Sequence, residues 1–260
     1  MNIRRYSFLA ALMGAICFLL RFMQQKTGFE AETGLARSGN LYAIILPILL
    51  LAFAAVLIFA IRPTPFSVIA AKRPFGDLFS MEEKTGAKAF AVCGILAMMA
   101  AGALEVFEAV SITRDTLSLV AGAFLVVAGV CLFLTVKALG GGEEGDGTYL
   151  LAAVCCAVVQ LVASYRVYAI DPVLQGYYVE LLALIFLTLG FFRLSSFAFK
   201  DGRTRPFVRY SVLAVVFSLA SLAEWGSHVG CISSLVLYAG GAAVLLGFML
   251  LRMNALEKQV

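Results

Sequence analysis

The feature that most constrains this chain is a series of long apolar runs separated by short polar segments. A helix needs about 20 apolar residues, at 1.5 Å rise per residue, to cross the hydrocarbon core of a membrane. The runs lie at about residues 6–23, 41–61, 88–110, 118–138, 149–169, 176–199, 206–226 and 231–253. Because a spanning segment must satisfy its own backbone hydrogen bonds in lipid, we predict an all-α, polytopic integral membrane protein with eight transmembrane helices.

The composition favours the same class. Of the 260 residues, 62% are hydrophobic and 14% are charged, whereas soluble domains average about 45–50% apolar and about 25% charged residues. This excludes a soluble globular enzyme and a disordered chain. The net charge of +4 does not indicate nucleic-acid binding, because the Lys and Arg residues are not clustered among aromatic ones. The six cysteines lie in or beside apolar runs, where thiols pack as small hydrophobic groups, so no disulfide scaffold is expected.

The basic residues predict the orientation of the bundle. With the amino terminus in the cytoplasm, 15 of the 20 Lys and Arg residues fall on the inner side and 5 on the outer side. We therefore expect a multi-pass protein of the cytoplasmic (inner) membrane with both termini in the cytoplasm. The first run follows Arg4 and Arg5, as in a signal peptide. Because Arg21 interrupts its end and no A-x-A-like cleavage site follows, we interpret it as a retained span.

Polar residues recur at matching places in the two halves of the chain, which predicts an internal repeat. The predicted parts are a first four-helix half at 1–138, a Gly-rich acidic linker at 139–148 and a second four-helix half at 149–260. Arg21 and Arg166 lie late in the first span of each half, and Glu105 and Glu224 lie late in the third. Because each half has an even number of spans, the 4+4 repeat would be parallel. The alternative is that polar residues simply collect at a membrane interface.

Small residues at helical spacing predict where helices pack closely. Ala10 and Gly14 have the small-xxx-small spacing that lets two backbones approach in a membrane, and other spans contain similar pairs. Gly122 in the fourth span and Gly240 in the eighth add further points of close approach. These patterns concern packing and carry no information about function.

Ionisable side chains inside the apolar runs are the candidate functional residues, because a charge within a span costs from about 2.5 kcal/mol upward and usually has a partner. They all lie towards the outer side. The candidate ligand-binding residues are Arg21, Glu105, Glu108, Arg166, Glu180, Glu224 and His228. Glu105 and Glu108 share one helix face, and so do Glu224 and His228. If the third and seventh spans face each other, three carboxylates and one imidazole would converge.

Two interpretations of these charges remain open. In the first, they line an outward-facing pocket for a small polar or charged solute, between the two halves of an inner-membrane transporter or solute-binding membrane subunit. In the second, they are structural ion pairs, Arg21 with a Glu of one half and Arg166 with a Glu of the other. The chain would then be a non-transporting membrane module, such as a sensor input domain or an assembly partner.

The inner loop at residues 62–87 is the candidate docking surface of such a module. Its prolines and its Phe66, Phe75 and Phe79 among charges suit a segment lying at the membrane interface. Ser80, with Glu83 three residues later, forms a capping box that predicts a helix start near residue 80. The expected partners are therefore the lipid bilayer, a small polar solute and a protein at this loop, with no nucleic acid.

The chain contains no recognisable catalytic, metal or nucleotide motif. Its only histidine, His228, directly follows Ser227, and adjacent residues on a helix point about 100° apart, which is unsuitable for a nucleophile and its base. No G-x-S-x-G, H-E-x-x-H or P-loop pattern is present. We therefore expect no enzymatic activity, no cofactor and no metal site.

Overall fold

The computed structural model describes residues 3–29, 37, 39–61, 75–79, 85–141, 147–169, 177–225 and 232–257. Eight long helices account for most of this part of the chain: α1 (Ile3–Thr27), α2 (Leu41–Ala60), α3 (Thr85–Glu108), α4 (Thr116–Gly140), α5 (Gly147–Tyr168), α6 (Tyr178–Ala198), α7 (Thr204–Ser221) and α8 (Ile232–Glu257). Each contains a segment long and apolar enough to cross a membrane. The all-helical class and the eight candidate spans are therefore confirmed, and they indicate a multi-pass membrane protein.

Helices α7 and α8 form the centre of the bundle. Of their candidate spans, 72% and 67% respectively are buried inside the protein, against 28% for α1 and 22% for α2. From α3 to α7, each helix packs against the next one along the chain. Helix α8 contacts both α3 and α7 and so closes the circle. These six helices therefore form a closed ring. Helix α1 packs on the outside of α7, and α2 lies beyond it as the least buried of the eight candidate spans.

The ring contains helices from both predicted halves of the chain. Helices α3 and α4 of the first half close it together with the four helices of the second half. The division into two four-helix halves and the parallel 4+4 repeat stay predictions. Residues 142–146, the central part of the predicted linker, lie outside the described residues.

Two glycine crossings bring α3 against its neighbours at backbone distance. A Cβ added at Gly94 would lie 2.7 Å from the carbonyl oxygen of Gly240, and one added at Gly240 would lie 2.8 Å from that of Gly94. The same reciprocal relationship joins Gly102 of α3 and Gly122 of α4. Since Cβ atoms essentially never come closer than 3.0 Å to such atoms, only glycine permits these contacts. The predicted close approach at Gly122 and Gly240 is confirmed.

An aromatic cluster fills the space between the end of α6, the start of α7 and the second half of α8. Phe79 follows a single helical turn, Phe75–Leu78, and is fully buried. Its ring centroid lies 5.3 Å from that of Phe197, 6.2 Å from that of Phe207 and 5.7 Å from that of Phe248. Phe79 is therefore an interior residue of the bundle and not an exposed one, because its ring fills the space between three helices.

The rest of the predicted docking loop is not described. Residues 62–74 and 80–84 lie outside the described residues, and so does the predicted capping box at Ser80 and Glu83. At the same end, Arg209 of α7 donates to the carbonyl oxygens of Ile58 and Ile61, the latter at 3.2 Å. Carbonyl groups at a helix carboxyl end have no partner within the helix, so this guanidinium anchors the end of α2 to the bundle.

Candidate functional site in the charged layer

A group of polar side chains inside the bundle lies at the end where α1, α3, α5 and α7 finish and α4, α6 and α8 begin. We call this set of side chains the charged layer. Its side-chain contacts are Arg21 with Glu224, Tyr168 with Glu180, Gln160 with Glu105, Ser233 with Glu108 and Arg166 with Asp115. The alternation of helix direction in an antiparallel bundle brings these positions to one depth, as the sequence predicts.

The most deeply buried part of the layer is the ion pair between Arg21 and Glu224. Arg21 donates to Glu224 Oε1 from Nε at 3.1 Å and from Nη2 at 2.5 Å. Its Nη1 donates to Gln24 Oε1 at 3.0 Å, one turn further along α1. Arg21 is 0% and Glu224 1% exposed. A charge buried in this way needs a partner of opposite sign, and one of the two predicted structural Arg–Glu pairs is thus present.

The local structure of α7 places Glu224 against α1. After Ser221 the helix narrows into a 3₁₀ turn, Leu222–Glu224, which has fewer residues per turn than an α-helix. This turn contacts α1. The ring of Tyr178, in the first turn of α6, lies 5.5 Å from the Arg21 guanidinium carbon, a cation–π distance. The guanidinium is therefore held by α1, α6 and α7 together.

Glu180 is a second carboxyl group in the same buried cluster. It is 0% exposed and lies in the first turn of α6, where the helix dipole favours an acidic side chain. The Tyr168 hydroxyl donates to Glu180 Oε2. The Tyr168 ring stacks on Tyr177, with centroids 4.8 Å apart and planes at 5°. Stacking therefore fixes the hydroxyl that holds Glu180.

Glu105 lies in a different environment on α3. Gln160 Nε2 donates to Glu105 Oε2 at 2.5 Å, and Gln160 is 4% exposed while Glu105 is half-buried. Within the described part of the chain, no Lys or Arg forms an ion pair with Glu105. Glu105 is therefore a carboxylate held by a neutral amide and not by a cation.

Glu108 lies where α3 changes its geometry. Ser233, at the start of α8, donates from its hydroxyl to Glu108 Oε2 at 2.9 Å. The next residues form a π-helical turn, Ala109–Thr113, and Arg114 follows in a left-handed conformation with φ 51°. Single π-helical turns occur often beside functional sites. No pattern in the sequence indicates this turn.

Arg166 forms an exposed ion pair with Asp115 and not the predicted pair with a glutamate. The Arg166 Nη2 to Asp115 Oδ1 distance is 2.9 Å, and the Arg166 side chain is 59% exposed. Asp115 also caps α4, accepting from the Ser118 hydroxyl at 3.0 Å and from the Leu117 N–H at 3.4 Å. Hydrogen bonding by Ser118, then by Leu117 and Arg166, holds the pKa of Asp115 below its usual value. Asp115 is therefore an N-cap of α4 that also forms an exposed ion pair with Arg166.

The expected convergence of Glu105, Glu108, Glu224 and His228 differs from what the structure shows. Helix α8 separates α3 from α7, so Glu105 and Glu224 bind different partners. His228 lies outside the described residues. Sequence analysis missed Gln24, Asp115 and Gln160. Gln160 is the strongly polar side chain in the interior of the fifth run, but a search for charged residues passes over a neutral amide.

A narrow apolar cavity lies inside the ring, next to Gln160. It is lined from five helices, by residues that include Met98, Leu125, Cys156, Gln160, Leu184 and Leu237. In this conformation it has room for about one water molecule. Gln160 is its polar wall, and through Gln160 the cavity adjoins the Glu105 carboxylate. Among the described residues, no group of three or more His, Cys, Asp or Glu side chains is placed to hold a metal ion.

Comparison with known proteins assigns no family to this chain. No family model, curated protein or solved structure matches it.

Proposed function

We propose that this protein is a transporter, or the solute-binding membrane subunit of one, for a small positively charged solute. The proposal places it in the cytoplasmic membrane with both termini inside and the charged layer towards the outside, as the distribution of basic residues favours. Its site is Glu105 with Gln160 at the polar end of the cavity inside the ring. The parallel repeat of two four-helix halves is kept as part of this hypothesis.

The observation that carries the proposal is the contrast between the half-buried Glu105, which adjoins the cavity, and the buried Glu224. Glu224 has Arg21 as its counter-ion, whereas Glu105 has an amide partner and no ion pair within the described part of the chain. A carboxylate at this depth is costly and is usually retained for a function. A cationic solute would supply the positive charge that Glu105 lacks.

The cavity indicates what the rest of the solute would be. Apart from Gln160 and the Cys156 thiol, the residues that line it are apolar. Ligand sites are commonly apolar pockets with a few polar groups that fix orientation. A suitable solute therefore has a cationic end that donates hydrogen bonds and a short apolar body. Since the cavity is narrow in this conformation, binding would require the helices that line it to separate.

A second candidate function is the non-transporting membrane module. The burial of Arg21 and Glu224 favours this alternative. Two charges that are paired and enclosed contribute to packing but are not accessible to a solute. In this alternative, Glu105 and Gln160 would be one more internal contact. The two candidates differ in whether Glu105 has a measurable effect on solute uptake.

The proposal is tested by uptake into proteoliposomes that contain the purified protein. The probe is radiolabelled methylguanidinium, which has a fixed positive charge and N–H donors and does not cross lipid as a neutral species. We expect saturable uptake by the wild type and a loss of about tenfold or more in Glu105→Gln, as removal of one charged contact predicts. Asp115→Asn is the matched control, because Asp115 is an acidic residue of the same layer away from the cavity.

Two results would contradict the proposal. One is equal uptake by the wild type and by Glu105→Gln, which would remove Glu105 from the site. The other is the absence of saturable uptake and of saturable binding of methylguanidinium by the wild type, which would favour the non-transporting module.

A further inference from the structure

Two arginine side chains of α7 meet the end of α2, at the opposite end of the bundle from the charged layer. Arg205 and Arg209 lie one turn apart, at the start of α7. Both donate from Nη2 to the carbonyl oxygen of Ile58, Arg205 at 3.3 Å. Arg209 also donates to the carbonyl oxygen of Ile61 at 3.2 Å. Because both bind one oxygen atom, the two guanidinium groups lie side by side.

The described residues do not neutralise these two positive charges. Neither guanidinium forms an ion pair with an acidic side chain in the part of the chain that the structure describes, and residues 62–74, which follow α2, include no Asp or Glu. The carboxyl end of α2 supplies only about half a negative charge. The first turn of α7 contains no acidic residue, so the positive end of its dipole adds to the excess.

Both side chains still have N–H groups to donate. They are half-buried, and each contacts the described residues through Nη2 alone. Their Nη1 atoms accept no such contact and are not enclosed by the protein. Guanidinium groups match the oxygen atoms of a phosphate in geometry and charge, and one phosphate can accept from two of them.

We propose that Arg205 and Arg209 form a binding site for the phosphate of an anionic phospholipid, in the leaflet at this end of the bundle. The phosphate oxygens accept from Nη1 of both side chains. Ile58 and Phe59, at the end of α2, are 53% and 80% exposed and offer an apolar surface to the acyl chains. A soluble phosphate would not use that surface. Basic pockets between transmembrane helices are known to hold such headgroups.

The bound lipid would strengthen the attachment of α2. Only 22% of the α2 span is buried, and Arg205 and Arg209 are its polar contacts with α7. A phosphate between the two guanidinium groups relieves their mutual repulsion while both remain on Ile58. This inference does not depend on the solute proposed above, because it concerns the other end of the bundle.

The site is tested by titrating the purified protein, in a neutral detergent, with phosphatidylglycerol or with phosphatidylcholine of the same acyl chains. Native mass spectrometry measures the bound lipid. We expect the wild type to bind phosphatidylglycerol about fivefold or more tightly than phosphatidylcholine. Arg205→Gln should lower the affinity for phosphatidylglycerol about fivefold, the usual effect of one basic residue near an anionic headgroup, and should leave phosphatidylcholine unchanged. Arg209 still holds α2 in this variant.

Lys137→Gln is the matched control. Lys137 is a basic residue of the same end, in the last turn of α4, which packs between α3 and α5, and its loss should leave the lipid preference unchanged. The proposal is overturned if the wild type shows no preference, if Arg205→Gln keeps the wild-type preference, or if Lys137→Gln reduces it equally. Displacement of the lipid by an equal concentration of inorganic phosphate would assign the site to a soluble anion and would also overturn it.

Discussion

Arg21 and Glu224 are 203 residues apart in the chain and form an ion pair in the interior of the bundle, with Nη2 2.5 Å from Oε1. The pair ties the end of the first helix to the end of the seventh. Helix α1 lies outside the ring and only 28% of its span is buried. The ion pair, with the Tyr178 ring against the guanidinium, is therefore a buried polar attachment of α1 to the rest of the protein.

The contribution of this ion pair is measured by a double-mutant cycle on Arg21 and Glu224. Glu224→Gln places a neutral amide against the buried guanidinium and should lose about 3–5 kcal/mol of unfolding free energy, the usual effect of breaking a buried ion pair. The Arg21→Met/Glu224→Gln double variant removes both charges and should lose less than the sum of the two single variants. Additive effects in the cycle would show that the two charges do not stabilise each other.

The glycine crossing between α3 and α8 predicts a strong sensitivity to a single methyl group. Gly240→Ala would place a Cβ 2.8 Å from the carbonyl oxygen of Gly94, so the helices must separate. We expect a loss of about 1–3 kcal/mol, as for other overpacked sites. Gly86→Ala is the control, because a Cβ there meets nothing within 4 Å, and it should be neutral or slightly stabilising. Thermal unfolding of both variants in one detergent compares them, and equal losses would refute the crossing.

The aromatic cluster around Phe79 predicts that the segment before α3 contributes to stability. Phe79→Ala removes a fully buried ring that packs against four other phenylalanine rings. The expected loss is about 3–5 kcal/mol of unfolding free energy. Phe59→Ala, on the outer side of α2 and 80% exposed, should change the stability by about 0.5 kcal/mol or less. An unfolding free energy of Phe79→Ala equal to that of the wild type would show that this ring does not stabilise the bundle.

The environment of Asp115, at the exposed edge of the charged layer, predicts that the stability of the protein depends on pH. Ser118, Leu117 and Arg166 hold its pKa below the usual value. A pKa lowered by folding gives stability that is present above the unfolded-state pKa and is lost as the pH falls through the lowered value. Unfolding temperatures of the wild type and Asp115→Asn should therefore converge as the medium becomes acidic. Arg166→Gln should remove only a small part of the effect, because its side chain is 59% exposed. A difference between wild type and Asp115→Asn that is independent of pH would contradict this account.

The sequence was sufficient to predict the helices, but not which helices pack against each other. A span is a local property, since it depends on the length of one apolar run, and the observed helix bounds lie within a few residues of the predicted ones. The depth of the charged residues follows from alternating helix direction. The position of α8 between α3 and α7 depends on the contact of Gly94 with Gly240, and hydropathy contains no information about which glycines meet.

The candidate site was predicted in part for the same reason. Arg21 and Glu224 were recognisable because charges inside apolar runs are rare, and Glu105 and Glu180 were found in the same way. The amide of Gln160 and the hydroxyl of Tyr168 decide the environment of those two glutamates, yet neither residue is charged. Phe79 was placed at the interface because its flanking prolines and charges resemble a surface segment, and only the packing of α6, α7 and α8 shows the space that it fills.

The most direct test of the central claim, that Glu105 is a functional carboxylate and not a structural one, is the unfolding free energy of Glu105→Gln. A glutamine keeps the hydrogen bond to Gln160 and removes a charge that has no ion pair within the described residues. Since functional charges are held at a cost in stability, we predict that Glu105→Gln is as stable as the wild type or more stable. A loss as large as that of Glu224→Gln would show that Glu105 is part of the packing and would contradict the account.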